Sequence, residues 1–334
     1  MKPTSEAEDF VAFTICPTQH NAYKAEALEM FGIHKDAYRN GNYTGNSREV
    51  NPWDIFHQVT FGLHELVRVI RVHVLGEEDL NSSEGRIYLL CSQSRECPSA
   101  LLARNCSGRT LTRNGDEWKD HELFDLYTLK EHYYHRFGRC FEFQFGKNLV
   151  RRGIYTVAIK PIIGRSIYVY VNTPGQFLSL DEKSKVYTTL GMDHYVNMHY
   201  TVEIDSLGEQ SHMPCSVDMD LGLDDCLYKN TAENMMRHFN CVVPFLPPNN
   251  SQPICNSGTK QPLKNYKHFL DHNQRNMCKI PCKKMTVYFG MMERNKKTGV
   301  ANENKSYVRI YLKSNVQYTE TVLDYPIVSM LAGL

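Results

Sequence analysis

Apolar positions along this chain recur at two spacings, every second residue and every third or fourth, and these divide it into strand-like and helix-like stretches. Near the start, Phe10-Val-Ala-Phe-Thr-Ile-Cys16 is a β-branched and aromatic run that predicts a strand. Residues 20–50 carry mixed signals and end in a Gly/Asn-rich loop. Asn51-Pro52 then offers an N-cap and a first-turn proline. Ile55, Val59, Leu63, Leu66, Val67 and Ile70 follow at helical spacing, so a helix is predicted there. His57 and His64 lie on or beside it and read as surface or boundary residues. A cysteine-rich loop with Cys91, Cys97 and Cys106 comes next, then a short predicted helix near Asp120 to Tyr127. CFEFQF, GIYTVAIKPI, SIYVYV and YVNMHYTVEI alternate large apolar with polar residues and predict half-buried strands.

From Cys215 the pattern changes. Leu227, Thr231, Met235 and Phe239 recur every four residues and predict a helix over Asp225 to Phe239, with Met235 and Met236 as core filling. The Pro-rich VVPFLPPNNSQP ends it. A second helix is predicted from about Asn265 to Met277 with Phe269 and Leu270 inward, followed by strands in MTVYFGMM, SYVRIYL and TETVLDYPI. The expected fold is α+β, with helices grouped at the edges of a mainly antiparallel sheet. No internal repeat or low-complexity segment interrupts it.

Composition narrows the setting. The 334 residues are long enough for one large domain or two smaller ones, and 42% hydrophobic content argues against disorder. Lys plus Arg is 38 and Asp plus Glu is 37, a balance that gives no support to a nucleic-acid partner. Eleven cysteines without a single CxxC pair disfavour zinc-ribbon and thioredoxin chemistry and point to disulfides in an oxidising compartment. Asn42, Asn81, Asn105, Asn249 and Asn304 each open an N-x-S/T glycosylation triplet, in keeping with that compartment. The first fifteen residues have no signal-peptide apolar core, and no run of about 20 apolar residues occurs. The apolar run Ile327–Leu334 reads as the opening of a truncated membrane helix, so the chain is expected to be a fragment.

Enzyme signatures fail on inspection. His64-Glu65 and His121-Glu122 are not followed by the second histidine of HExxH, and GxSxG and P-loop patterns are absent. Asp218, Asp220, Asp224 and Asp225 form an acidic cluster that lacks the ligand and glycine spacing of an EF-hand. It reads either as a solvated acidic loop or as a proton- or calcium-sensitive contact. The basic runs at 283–284 and 294–297 read as solvated turns.

Four stretches carry a resemblance. Phe10–Cys16 is similar to an FPAVTIC segment, with Val11 in place of its proline. Gly138-Arg-Cys140-Phe-Glu-Phe143 is similar to a G-x-C-[FY]-x-F-N strand, with Gln144 in place of its asparagine. Cys226 precedes a helix leading to Asn240-Cys241-Val-Val-Pro244-Phe-Leu-Pro247, then Pro253-Ile-Cys255 and Cys278-Lys-Ile-Pro281-Cys282. Tyr325–Leu334 is similar to the entry of a second membrane helix. Together, in this order, they resemble the degenerin/epithelial sodium channel family, which includes acid-sensing and pickpocket channels.

That resemblance implies a hand-like, disulfide-rich extracellular domain spanning residues 1–334. Palm and β-ball strands are expected at 10–20, 140–215 and 283–326, finger and knuckle at 21–139, and thumb at 216–282. Residues 327–334 would begin the second membrane helix. The palm strands leading to the membrane should include 10–16 and 306–326. The resemblance also implies the pairs Cys16–Cys140, Cys215–Cys282, Cys226–Cys278 and Cys241–Cys255; among Cys91, Cys97 and Cys106 one pair is expected, Cys91 with Cys97, with one cysteine left over. It implies a subunit of an amiloride-sensitive, stimulus-gated sodium channel in the cell membrane. Such a subunit is no enzyme, needs no cofactor, assembles as a homo- or heterotrimer, and passes sodium ions through the assembled pore. The competing reading is a secreted, disulfide-stabilised binding protein without channel activity.

Overall fold

The computed structural model describes residues 12–40, 50–74, 86–91, 110–114, 117–121, 127–145, 154–162, 165–172, 185–187, 192–205, 215, 223–246, 252–255, 260–276, 278–279, 282–296, 307–312 and 317–321. Its sheets are mainly antiparallel. One runs in the order β10 (Lys185–Tyr187), β9 (Ile167–Asn172), β1 (Ala12–Pro17), β7 (Gly138–Phe145), β6 (Tyr127–Tyr134). The other runs β12 (Lys283–Lys296), β11 (Met192–Asp205), β13 (Tyr307–Leu312), β8 (Ile154–Pro161), β2 (Val67–Val74), β3 (Arg86–Cys91), β4 (Thr110–Asn114), β5 (Glu117–His121). β14 (Gln317–Thr321) also pairs with β11, and both β13 and β14 do so in parallel. β1 and the two strands β13 and β14 therefore lie in different sheets.

The alternation seen in the sequence explains how the sheets pack. In β1, Phe13 and Ile15 face a core shared with Phe141, Phe143, Val169 and Val171 of their own sheet, and with Val72, Val157, Ile159 and Val308 of the other. The opposite face of β1 is buried too. There Thr14 donates to Asn172 Oδ1 (2.8 Å), Asn172 donates to Glu142 Oε2 (3.3 Å), and His132 Nε2 lies 3.2 Å from the same carboxylate oxygen. Burial in this layer is tolerable because each polar group meets another.

The helical pattern from Ile55 to Ile70 resolves into three elements rather than one. Asn51 caps α3 (Pro52–Val59) by accepting from the Trp53 N–H. Thr60 then turns extended, and its hydroxyl donates to the Phe56 carbonyl, closing the helix. A single turn, α4 (Leu63–Leu66), comes next, and Val67 starts β2. The β-branched run Val67, Val69, Ile70, Val72 fits a pleated surface better than a helix, and pairing with β8 fixes the choice. The helix expected near Asp120–Tyr127 is also corrected. Asp120 and His121 belong to β5, paired with β4, and Tyr127 opens β6 opposite Phe145. Cys91 ends β3 rather than sitting in a loop. β14 stops at Thr321, so the remainder of the predicted final strand lies outside the described residues.

A second core is helical. α1 (Ala25–Met30), α2 (Lys35–Arg39), α3, α5 (Leu223–Phe239) and α6 (Lys260–Asn276) gather around Leu28, Tyr38, Phe56, Met235, Phe245 and Tyr266. α5 begins two residues earlier than predicted, and its end is marked by Asn240 at φ 54°, a left-handed position that asparagine tolerates. α6 begins five residues earlier than predicted, with Pro262 in its first turn, where no intrahelical N–H is lost.

The β6–β7 hairpin couples the two cores. Gly138 (φ 72°) closes its turn, and a Cβ there would meet the Ala22 carbonyl and Thr60 Cγ2, each at 2.9 Å. Gly138→Ala is expected to cost about 2–3 kcal/mol, from the left-handed backbone plus the clash. Thermal unfolding of the variant against the parent checks this.

Candidate functional site

The sequence-predicted site residues fall into three groups. The first is sulfur. The structure joins Cys16 on β1 to Cys140 on β7, with Cα atoms 4.4 Å apart. It joins Cys215 to Cys282 (4.9 Å), Cys226 on α5 to Cys278 beyond α6 (5.9 Å), and Cys241 to Cys255 (4.9 Å). Asn230, one turn along α5 from Cys226, donates toward both sulfurs of the Cys226–Cys278 bridge at 3.5 and 3.4 Å. Cys97 and Cys106 lie outside the described residues, and so does the expected Cys91–Cys97 pair. The second group, the glycosylation triplets at Asn42, Asn81, Asn105, Asn249 and Asn304, lies wholly outside the described residues.

The third group, the acidic cluster, divides. Asp218 and Asp220 are outside the described residues, whereas Asp224 and Asp225 form the first turn of α5. Both are helical rather than in a loop. Asp224 is fully buried, and Asp225 accepts from Lys130 Nζ on β6 at 2.9 and 3.1 Å. One turn along, Tyr228 donates to the Tyr133 carbonyl of β6 (3.1 Å). Burial, with Tyr266 and Asp224 nearby, holds the Tyr228 phenol well above its ordinary range, so it remains a donor at all physiological pH values. Two contacts from successive turns thus tie α5 to β6.

Around that seam the hairpin is packed in aromatic rings. Tyr133 meets Trp53 (ring centres 5.0 Å) and His57 (5.6 Å) of α3, and Trp53 and His57 meet each other at 4.4 Å. Arg139 Nη1 points at His57 Nδ1 (3.5 Å) and lies 3.9 Å from Glu131. Burial and the Arg139 cation push the His57 pKa down, opposed by Glu131 and Asp54, so His57 is neutral and able to accept. His57 is therefore a half-buried boundary residue, as expected, and it forms part of this junction.

At the hairpin tip, Tyr23 donates to the His135 carbonyl (2.6 Å), and His135 Nε2 donates to the Arg39 carbonyl (2.9 Å). The His135 ring packs on Phe245 at 5.3 Å. Burial and the Lys267 charge push its pKa down to about 4 from the ordinary 6.5, outweighing that hydrogen bond. An unfolded chain takes up a proton there below about pH 6.5, while the folded chain does so only near pH 4. Stability accordingly falls as pH drops through that window, by roughly 2–3 kcal/mol. Denaturant unfolding at pH 7 and 4.5 checks this, and His135→Gln should flatten the difference.

The family model for the amiloride-sensitive sodium channel matches residues 2–334. The chain belongs to that family. No curated protein matches it. As a member of the amiloride-sensitive sodium channel family it is a channel-type protein, and its disulfides and mixed helix and antiparallel sheet make up the fold described above. Among the described residues no helix is long and apolar enough to cross a membrane. For this family member, sequence reading found Asp224 and Asp225 but missed their surroundings. Lys130, Tyr133, Tyr228 and Arg139 carry no motif. Lys130 is 95 residues from its partner and looks like one more surface lysine.

Proposed function

We propose that this chain is the extracellular domain of a subunit of an amiloride-sensitive sodium channel, and that it senses a stimulus and passes the change to the pore. The family match over residues 2–334 carries the reading. In it the domain is hand-like: α5 and α6 with their bridges form the thumb, residues 21–139 the finger and knuckle, and residues 10–20, 140–215 and 283–326 the palm and β-ball. The domain stands outside the cell membrane and carries glycans at the five Asn triplets. The full-length subunit assembles as a homo- or heterotrimer whose membrane helices enclose the path for sodium.

The geometry supports a specific carrier. The thumb helices are held by Cys226–Cys278 and Cys215–Cys282, so α5 moves as a stiff body. Asp225–Lys130 and Tyr228–Tyr133 hand that movement to β6 and β7, and Cys140–Cys16 hands it on to β1. Both partners of the ion pair are close to half exposed, so it contributes only about 0.2–1 kcal/mol to stability. Its worth lies in being made or broken between two states.

Voltage clamp of cells expressing the full-length subunit, with and without amiloride, tests the activity. An amiloride-blocked sodium current is expected, and its absence under every stimulus, alone or with partner subunits, would sink the reading. Charge reversal tests the seam. Lys130→Glu and Asp225→Lys should each shift the stimulus response about two- to fivefold, and the double reversal should recover most of the shift. Singles that leave gating unchanged would remove this contact from the mechanism.

A further inference from the structure

A groove of about 510 Å³ opens between α1, the Phe61–Glu65 segment and the residue that leads into β9, Arg165. Its size falls within the usual range for small-molecule sites. Phe61 lines it, and the Arg165 guanidinium carbon lies over that ring, 4.2 Å from the centroid. A ring engages a guanidinium without using its N–H donors, and the planar N–H edge is the group that takes a carboxylate in two parallel hydrogen bonds. Among the described residues no carboxylate or carbonyl accepts from that edge.

The other charges in the groove define what would fit. Glu65 is already committed: it binds Lys24 at 2.7 Å and accepts from the Gly62 N–H. Burial pushes the Glu65 carboxyl up, but those two donors outweigh it and hold it ionised. Lys35 gives one hydrogen bond to the His20 carbonyl, and burial and the Arg39 charge leave its ammonium less stable than usual. The lining thus holds three cations against Glu26 and Glu65, an excess of one positive charge. A dianion would face the two carboxylates, whereas a monoanion balances the site. Met30, 83% exposed, and Ala27 give the groove an apolar side.

We propose that this groove binds a small monoanionic carboxylate with an apolar arm, the carboxylate seated on Arg165 and the arm against Ala27 and Met30. A free short-chain acid and a peptide C-terminus share this chemistry. The test is thermal unfolding of the purified full-length protein in detergent, titrated at matched ionic strength. Hexanoate is compared with hexanol and hexylamine, and N-acetyl-alanyl-leucine with its amide. A saturable rise in Tm with hexanoate, with the acetylated dipeptide acid, or with both supports the site and tells which source it prefers. Hexanol, hexylamine and the amide should give no saturable rise. Arg165→Gln should weaken the response about tenfold or more. Ala27→Trp, which fills the groove without changing its charge, should abolish it.

Equal responses to hexanoate and hexanol overturn the proposal, as does no saturable response to either acid. An Arg165→Gln titration that matches the parent does the same. If Arg165→Gln does not fold, Ala27→Trp decides, and an unchanged titration in that variant is fatal. Because binding is read on the protein and not through current, a silent channel leaves this result standing, and a failed titration leaves the channel reading untouched.

Discussion

Replacing Cys16 and Cys140 together by alanine is expected to destabilise the protein by about 4–5 kcal/mol. The bridge closes a span of 124 residues, and the chain entropy it removes from the unfolded state is worth about 5 kcal/mol for a loop of that size. Both sulfurs are fully buried among Phe137, Tyr134, Tyr168 and Tyr170, so the space they vacate cannot be filled by water at no cost. The position magnifies the effect. β1 pairs with β7 on one side and β9 on the other, and the bridge pins the first of these pairings beside the register Ile15 opposite Phe141. Denaturant unfolding of the double variant, compared with the parent before and after reduction, checks the value. A loss under about 1 kcal/mol would mean that strand pairing alone closes the loop.

Phe245→Ala is the second large effect, expected at about 3–5 kcal/mol. The ring is 1% exposed and lies where three elements converge. It meets Tyr266 of α6 at 4.7 Å, His135 of the β6–β7 turn at 5.3 Å and Phe56 of α3 at 6.5 Å. Its neighbours Val242, Val243 and Leu246 are buried as well, and the Cys241–Cys255 bridge anchors them. Truncation therefore opens a void between α3, the β6–β7 hairpin and α6 at once, which no single element can close. Phe245→Leu should cost well under half as much. Beyond stability, the Lys130–Asp225 coupling should weaken in Phe245→Ala, because α6 and the hairpin then lose their common contact. Double-mutant cycles in both backgrounds measure that.

The parts of the fold legible in the residues obey a single spacing. Apart from the three-residue β10, the strands from Cys140 onward are visible because β-branched and aromatic residues alternate there, and both long helices are visible from the four-residue recurrence in 227–239 and the inward Phe269 and Leu270. The failures lie where two spacings coexist. Ile55, Val59, Leu63, Leu66, Val67 and Ile70 satisfy a helical period, yet Thr60 and Gly62 interrupt it and β8 captures Val67 and the residues beyond. β4 and β5, TLTRN and EWKDH, are too polar to announce themselves, and their structure comes from pairing with each other and with β3. At the candidate site, the two aspartates are legible as a charge cluster. The burial of Asp224 and the bond of Asp225 to β6 are not, because no local pattern reports a contact across 95 residues.

The larger sheet bears on how such a domain withstands a pull. β13 and β14 lie end to end along the same edge of β11, both in parallel, the first beside residues 193–198 and the second beside 201–205. Tension applied to β14 along its axis shears its rungs against β11 together, whereas an antiparallel hairpin drawn apart at its open end peels one rung at a time. Fourteen residues of β11, backed on the far side by β12 from Met192 to Ile204, act as a common rail for the two tail strands. The chain leaving Thr321 is thereby moored to the broad sheet as a cable is cleated to a deck, lengthwise and at many points.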